Sequence, residues 1–127
     1  WRNAKDEWWC RKSGKVVLSV VVCRRCVDNE LIAFRGRNTE VCLPAGSLCA
    51  EIAAISRAAA DFYSSSSIVA VATMDPDDKA NPLWPCNHCE SYFTKLRTQS
   101  SETIVMAVSS SSFQKFAVRV NGVYQSM

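Results

Sequence analysis

Two short cysteine patterns carry the residues best suited to chemistry. Cys49-Ala50-Glu51 opens an alanine-rich stretch, and Pro85-Cys86-Asn87-His88-Cys89 lies 35 or so residues further on (roughly one βα unit). Each sits where a helix is expected to begin. The first turn of a helix leaves backbone N–H groups unpaired and carries the positive end of the macrodipole, so it favours thiolate over thiol. Three thiolates from two helix starts form a trap for zinc. With three protein ligands, zinc keeps its fourth position for water, the open arrangement of a catalytic site. Glu51, two residues beyond Cys49, falls beside such a metal but aims elsewhere, as suits a proton carrier.

These groups need a scaffold, and the chain predicts one. Val16 to Cys23 is β-branched and nearly continuous, which reads as a buried central strand. Asp28-Asn29 marks a turn, and Leu31 to Phe34 a second strand forming a hairpin with the first. A loop is expected from Arg35 to Ser47, broken by Pro44 and Gly46. Leu48 to Tyr63 has helical composition, with Leu48, Ile52, Ile55 and Ala59 as its expected buried face. Ile68 to Ala72 reads as a fully apolar third strand with helices on both faces. A helix from Cys86 to Arg97 follows, then strands at Thr103–Val108 and Phe116–Val120, with Asn121-Gly122 as a closing turn. The order β-β-α-β-α-β-β predicts a three-layer α/β/α arrangement around a mixed sheet of about five strands. Residues 1–14 form a polar N-terminal segment and residues 15–127 the domain.

Composition narrows the function classes. The chain has 127 residues, 48% hydrophobic and 21% charged, enough for one domain with a core of its own. A formal net charge of +3 is too mild to argue for nucleic acid, and the Arg24-Arg25 and Arg35/Arg37 cluster reads as solvated surface. No apolar run approaches a membrane span, so no membrane partner is expected. An odd count of 7 cysteines argues against a closed disulfide set and for metal binding or a reducing intracellular compartment. The first residue is Trp1 rather than Met, so a longer protein is expected upstream.

The two cysteine patterns together resemble the signature of the zinc-dependent cytidine deaminase superfamily, [His/Cys]-x-Glu followed by Pro-Cys-x-x-Cys. Phe34-Arg35-Gly36-Arg37-Asn38-Thr39-Glu40 resembles the Phe-x-Gly-x-Asn-x-Glu loop of small cytidine deaminases and blasticidin S deaminase. The resemblance spans roughly residues 15 to 124 and implies the cytidine deaminase-like fold. It also implies one Zn²⁺ per chain on Cys49, Cys86 and Cys89, with Glu51 as proton carrier. By the same resemblance Asn38 and Glu40 grip a sugar hydroxyl, and the backbone N–H groups of Ala50 and Glu51 orient the ring carbonyl. The implied reaction is hydrolytic deamination of cytidine or a related aminopyrimidine nucleoside to its uracil form. Homo-oligomers are common among similar enzymes. The arginines that usually follow the two motifs are replaced by Ile52 and Glu90-Ser91, and Val16-Val17-Leu18 stand near the usual base-packing Phe.

Other readings stay open. One is a deaminase-fold subunit or scaffold of a larger assembly, without turnover. Another is a deaminase of cytosine in RNA or DNA, which a sugar clamp at Asn38 and Glu40 argues against. A third pairs Cys23-x-x-Cys26 with Cys86-x-x-Cys89 in a structural four-cysteine site, and a fourth makes Cys49, Cys86 and Cys89 plain buried core thiols. His88, the sole histidine, is expected to face solvent or the pocket, Trp84 to wall the pocket or pack in the core, and Asp75, Asp77 and Asp78 to form a solvated turn.

Overall fold

The structure, a computed structural model, describes residues 6, 8–11, 13–42, 46–78, 86–97, 103–109, 116–120 and 123–126. The expected turn at Asn121-Gly122, the breaker Pro44, and Trp84 and Pro85 lie outside the described residues. The strands are β1 (Leu18–Arg24), β2 (Leu31–Arg37), β3 (Thr39–Cys42), β4 (Gly46–Leu48), β5 (Ile68–Asp75), β6 (Ile104–Ser109), β7 (Phe116–Val120) and β8 (Val123–Ser126). Two α-helices, α1 (Ala50–Ala60) and α2 (Asn87–Arg97), complete the described architecture with a short 3-10 turn at Ser65–Ser67.

The mixed α/β architecture expected from the sequence is present. Six strands form one sheet in the order β2-β1-β5-β6-β7-β8, while β3 and β4 pair separately. β1 pairs antiparallel with both β2 and β5, and β5 pairs parallel with β6. A parallel pair needs a crossover, and α2 lies in the one between β5 and β6. The sheet has one strand more than the five expected, because β8 adds itself antiparallel to β7.

The β1–β2 hairpin forms where Asp28-Asn29 predicted it. Asn29 takes φ 60°, a left-handed conformation that Asn tolerates better than most residues. Arg25 braces the turn from inside, bonding Asp28 through two nitrogens and Glu30 through one. The second strand runs past Phe34 to Arg37, so most of the first half of the expected loop is strand.

The core lies between one sheet face and both helices. Alternation places Val21 and Cys23 of β1, Phe34 of β2, Val71 of β5 and Val105 of β6 on that face, against Ala54, Ile55 and Ala58 of α1 and Phe93 and Leu96 of α2. Among the described helices both therefore cover the same face. Val20, Val22, Ala70, Ala72 and Met74 point to the other and are half-buried.

The buried stripe of α1 is rotated from the one expected. Ala50, Glu51, Ala54, Ile55 and Ala58 are buried, Ile52 is half-buried and Ala59 is exposed. Small alanines let the helix approach the sheet closely, so the alanine row turns inward and the bulkier Ile52 moves to the margin. Gly36 makes this approach possible from the other side. A Cβ there would overlap the Ala50 carbonyl oxygen and the Ala54 backbone nitrogen. The close seating of α1 on β2 fixes where Cys49 and Glu51 stand.

Candidate active site

The two helix starts meet. Cys49 is the N-cap of α1, with extended dihedrals (φ −70°, ψ 150°), and its carbonyl accepts the first helical bond from Ala53 N–H at 3.0 Å. Cys86 precedes α2 in the same way, its carbonyl accepting from Glu90 N–H at 2.9 Å. Cys89, on the first turn of α2, is fully buried. The three sulfurs lie within 4.8 Å of one another, and this is the one such group of metal-ligating side chains found among the described residues. Cys23 is buried on β1 and Cys26 is exposed beyond it, so the four-cysteine alternative has no cluster behind it among those residues.

The donor set suits a tetrahedral ion. Zn–S bonds of about 2.3 Å place two sulfurs of a tetrahedron about 3.8 Å apart. Cys49 Sγ and Cys86 Sγ are 3.7 Å apart. Three thiols of this spacing and softness match zinc better than a hard cation, which takes oxygen ligands.

Burial holds two of the three thiols in their neutral form, against the preference of a helix start for thiolate. Burial pushes the Cys49 thiol up to about 11, and the charges of Cys86 and Glu51 add to the rise. Burial also raises Cys89 well above the usual thiol range, with Glu51 contributing next. Cys86 moves the other way. Its own desolvation opposes ionisation, but the Cys89 backbone N–H, the Cys49 and Cys89 thiols and the His88 N–H outweigh it. Its sulfur thus caps the start of α2 as an oxygen-bearing N-cap would. A bound divalent cation would offset the negative charge that the three sulfurs and Glu51 crowd together.

Glu51 is 5% exposed, and the Cys89 thiol donates to its Oε2 at 3.6 Å. It stands beside the sulfurs as the Cys-x-Glu spacing predicted. The corner opens into a cavity of about 330 Å³ that also exposes Asn38, Glu40, Ala50, Val17 and Leu48. That volume falls in the small-molecule range of roughly 300–1,000 Å³. Of the residues predicted for metal, proton transfer and substrate contact, Cys49, Cys86, Glu51, Ala50, Asn38 and Glu40 line this one cavity, while Cys89 lies buried behind it in the same sulfur cluster.

Val17 lies in the stretch that stands near the usual base-packing Phe, whereas Leu48 was expected in the buried face of the helix. Val17 precedes β1 and Leu48 ends β4, and both apolar residues line the cavity. Leu48 is 39% exposed rather than part of the α1 core stripe, because it belongs to β4 and not to the helix. The β3–β4 hairpin had no signal beyond Pro44 and Gly46, which read equally well as a plain loop. His88 is exposed on α2 and is not one of the clustered ligand groups. Asp75 is buried and accepts from Asp77 N–H at 2.9 Å, so this residue stabilises the turn from within, whereas Asp77 is exposed as expected.

Asn38 and Glu40, expected to grip a sugar hydroxyl, carry more internal bonding than their motif suggests. Asn38 is 6% exposed; its Oδ1 accepts from Val17 N–H at 2.8 Å, and its Nδ2 donates to the Lys15 carbonyl at 2.9 Å. Asn38 Nδ2 also reaches Glu40 Oε1 at 3.3 Å. Ile52, in place of an arginine, packs against the core cluster.

Comparison with known proteins agrees with this geometry. The fold is shared with cytidine deaminase from Burkholderia pseudomallei, at TM-score 0.68 and 23% identity over 94% of this chain and 84% of that one. It is shared also with cytidine deaminase from Mycobacterium leprae, at TM-score 0.57 and 21% identity over 93% and 84%. No curated protein matches the sequence. The family model described as the LmjF365940 subfamily CDD/CDA-like deaminase matches residues 2–74, a span that includes Cys49, Glu51 and the Asn38/Glu40 stretch and ends before Cys86. With more than half its length inside that match, the chain belongs to the CDD/CDA-like deaminase family.

Proposed function

We propose that the protein hydrolytically deaminates cytidine or a related aminopyrimidine nucleoside, using zinc held by Cys49, Cys86 and Cys89. The observation that carries this reading is the placement of a buried carboxylate, Glu51, against three converging thiols at the mouth of a small-molecule-sized cavity. Bound zinc supplies an acidified water as nucleophile. Glu51 would take a proton from the attacking water and pass it to the ring nitrogen as the amine-bearing carbon becomes tetrahedral. It would then take the second proton from the newly added hydroxyl, which becomes the carbonyl, and pass it to the amine leaving as ammonia. Its low exposure favours this role, since a carboxylate shielded from bulk water exchanges protons with the bound reactant rather than with solvent. The Ala50 and Glu51 N–H groups, unpaired at the first turn of α1, are suited to orient the ring carbonyl. Val17 and Leu48 offer the base apolar walls.

Asn38 and Glu40 at the far side of the cavity favour a nucleoside over a polynucleotide, because a gripped hydroxyl has no room for a following phosphate. A homo-oligomer, or a place in a larger assembly, belongs to this proposal by family likeness only. The test compares ammonia release from cytidine and from a short cytosine-containing single strand at low salt, where electrostatic binding is strongest. The proposal predicts turnover of cytidine and little of the strand. Preferential deamination of the strand would favour the polynucleotide reading, and no release from either would favour the scaffold.

A further inference from the structure

The residues expected to hold a sugar hydroxyl are already in contact with the protein's own chain. Ser13 N–H donates to Glu40 Oε2 at 2.7 Å, and Ser13 Oγ donates to Glu40 Oε1 at 2.7 Å. Both carboxylate oxygens of Glu40 thus accept from one serine. Asn38 Nδ2 is turned to the Lys15 carbonyl, two residues further along the same segment. The segment is held beside β3 by further bonds: Glu40 N–H donates to the Trp9 carbonyl at 2.7 Å, and Arg37 Nη2 donates to Cys10 Sγ at 3.1 Å. Gly14, at φ +69°, lets the chain turn sharply after Ser13 with no steric cost. Ser13 itself is exposed, so the bonded end of this strap can separate from Glu40 without opening the core.

A primary alcohol on a carboxylate is the same contact a sugar hydroxyl would make. We infer that Ser13 is a specificity-determining residue, a built-in competitor whose hydroxyl holds Glu40 until the sugar of a bound nucleoside displaces it. The inference rests on the nucleoside reading above. Free base, which has no hydroxyl to exchange for that of Ser13, binds without releasing the strap. The strap thus makes recognition of the sugar a replacement of one charge-assisted hydrogen bond by another, rather than a net gain. Discrimination between nucleoside and base is correspondingly smaller than an unoccupied Glu40 would give.

The test measures binding to the zinc-loaded chain in a Glu51→Gln background, so that bound ligand is not turned over. Cytidine and cytosine are titrated by calorimetry against the parent, Ser13→Ala and Ser13→Thr. Removing the hydroxyl is expected to tighten cytidine about tenfold, the size of one hydrogen bond to a charged group. Cytosine affinity should stay constant, and Ser13→Thr should behave as the parent. Amide exchange at Ser13 should also quicken when cytidine saturates the parent. Unchanged or weaker cytidine binding in Ser13→Ala, an equal gain for cytosine, or a Ser13 amide still protected in the complex would each overturn the competitor role alone. Failure of all three proteins to bind cytidine would overturn the nucleoside reading, and the competitor role with it.

Discussion

Two corners of the same cavity treat their polar groups in opposite ways. At the thiol corner, Cys49 and Cys89 are pushed upward by burial and by neighbouring negative charge, and Glu51 has a thiol as its partner. At the far corner, Asn38 bonds to Val17 and Lys15 while Glu40 bonds to Ser13. The first corner is a set of groups whose ionisation a bound cation would favour. The second is a set whose hydrogen-bonding capacity is already used by the protein. A motif therefore specifies residue types, but only the surrounding structure shows whether those residues are free for a ligand. Glu51 and Glu40 are both carboxylates at motif positions, yet one accepts from a thiol of the sulfur cluster and the other from a nearby serine.

The largest effect should come from the thiol corner. Cys86→Ala is expected to take bound zinc from about one per chain to none, which elemental analysis of the purified protein reads directly. The thermal midpoint should fall as well, because metal bound only to the native state stabilises it. Retained zinc would break the contrast by showing that these sulfurs do not form the site.

Glu51→Gln should keep the zinc, since Glu51 is not a ligand, while lowering ammonia release from cytidine by roughly a hundred- to ten-thousandfold, the range of general acid–base catalysis. Undiminished release would remove Glu51 from the mechanism. Gly36→Ala sharpens the contrast by moving α1 alone. The new methyl group collides with backbone of α1, so a loss of about 1–3 kcal/mol or more in urea-unfolding stability is expected, with weaker zinc binding because Cys49 shifts.

Asn38→Ala tests the occupied corner. It leaves the Val17 N–H and the Lys15 carbonyl without their partner, and about 1–3 kcal/mol of stability should be lost even with no ligand present. A purely ligand-facing Asn38 would show no such loss. The smallest effect is expected far from both corners, at Asp28. The Arg25 guanidinium lowers its carboxyl to about 2. A lowered carboxyl stabilises the folded state above the unfolded value near 3.9 and loses that contribution as pH falls toward 2. Both side chains are exposed, so Asp28→Asn should alter the thermal midpoint only slightly at neutral pH, leave zinc content unchanged, and show no difference from the parent below about pH 2.

Much of this was legible in the sequence for definable reasons. The thiol corner was readable because both motifs lie at helix starts, and helix starts have a local signature in composition. β1, β5 and β6 were readable from β-branched runs, and the hairpin turn from Asp28-Asn29. The burial phase of α1 was not, because an alanine row is equally able to be buried or exposed until the surface opposite it is known. Gly36 on β2 is what turns that row inward. β8 carried too few apolar residues to distinguish it from a tail. The contact between Ser13 and Glu40 spans 27 residues and depends on how the N-terminal segment crosses β3, for which neither periodicity nor motif gives a sign.

The central claim joins metal and chemistry at one site, and one preparation tests both. The purified full chain is analysed for zinc, and ammonia release from cytidine is followed in the same sample before and after removal and restoration of the metal. The account predicts about one zinc per chain, steady release with it, loss of release on removal and recovery when zinc is returned. Zinc bound at that stoichiometry with no ammonia released from cytidine would contradict it.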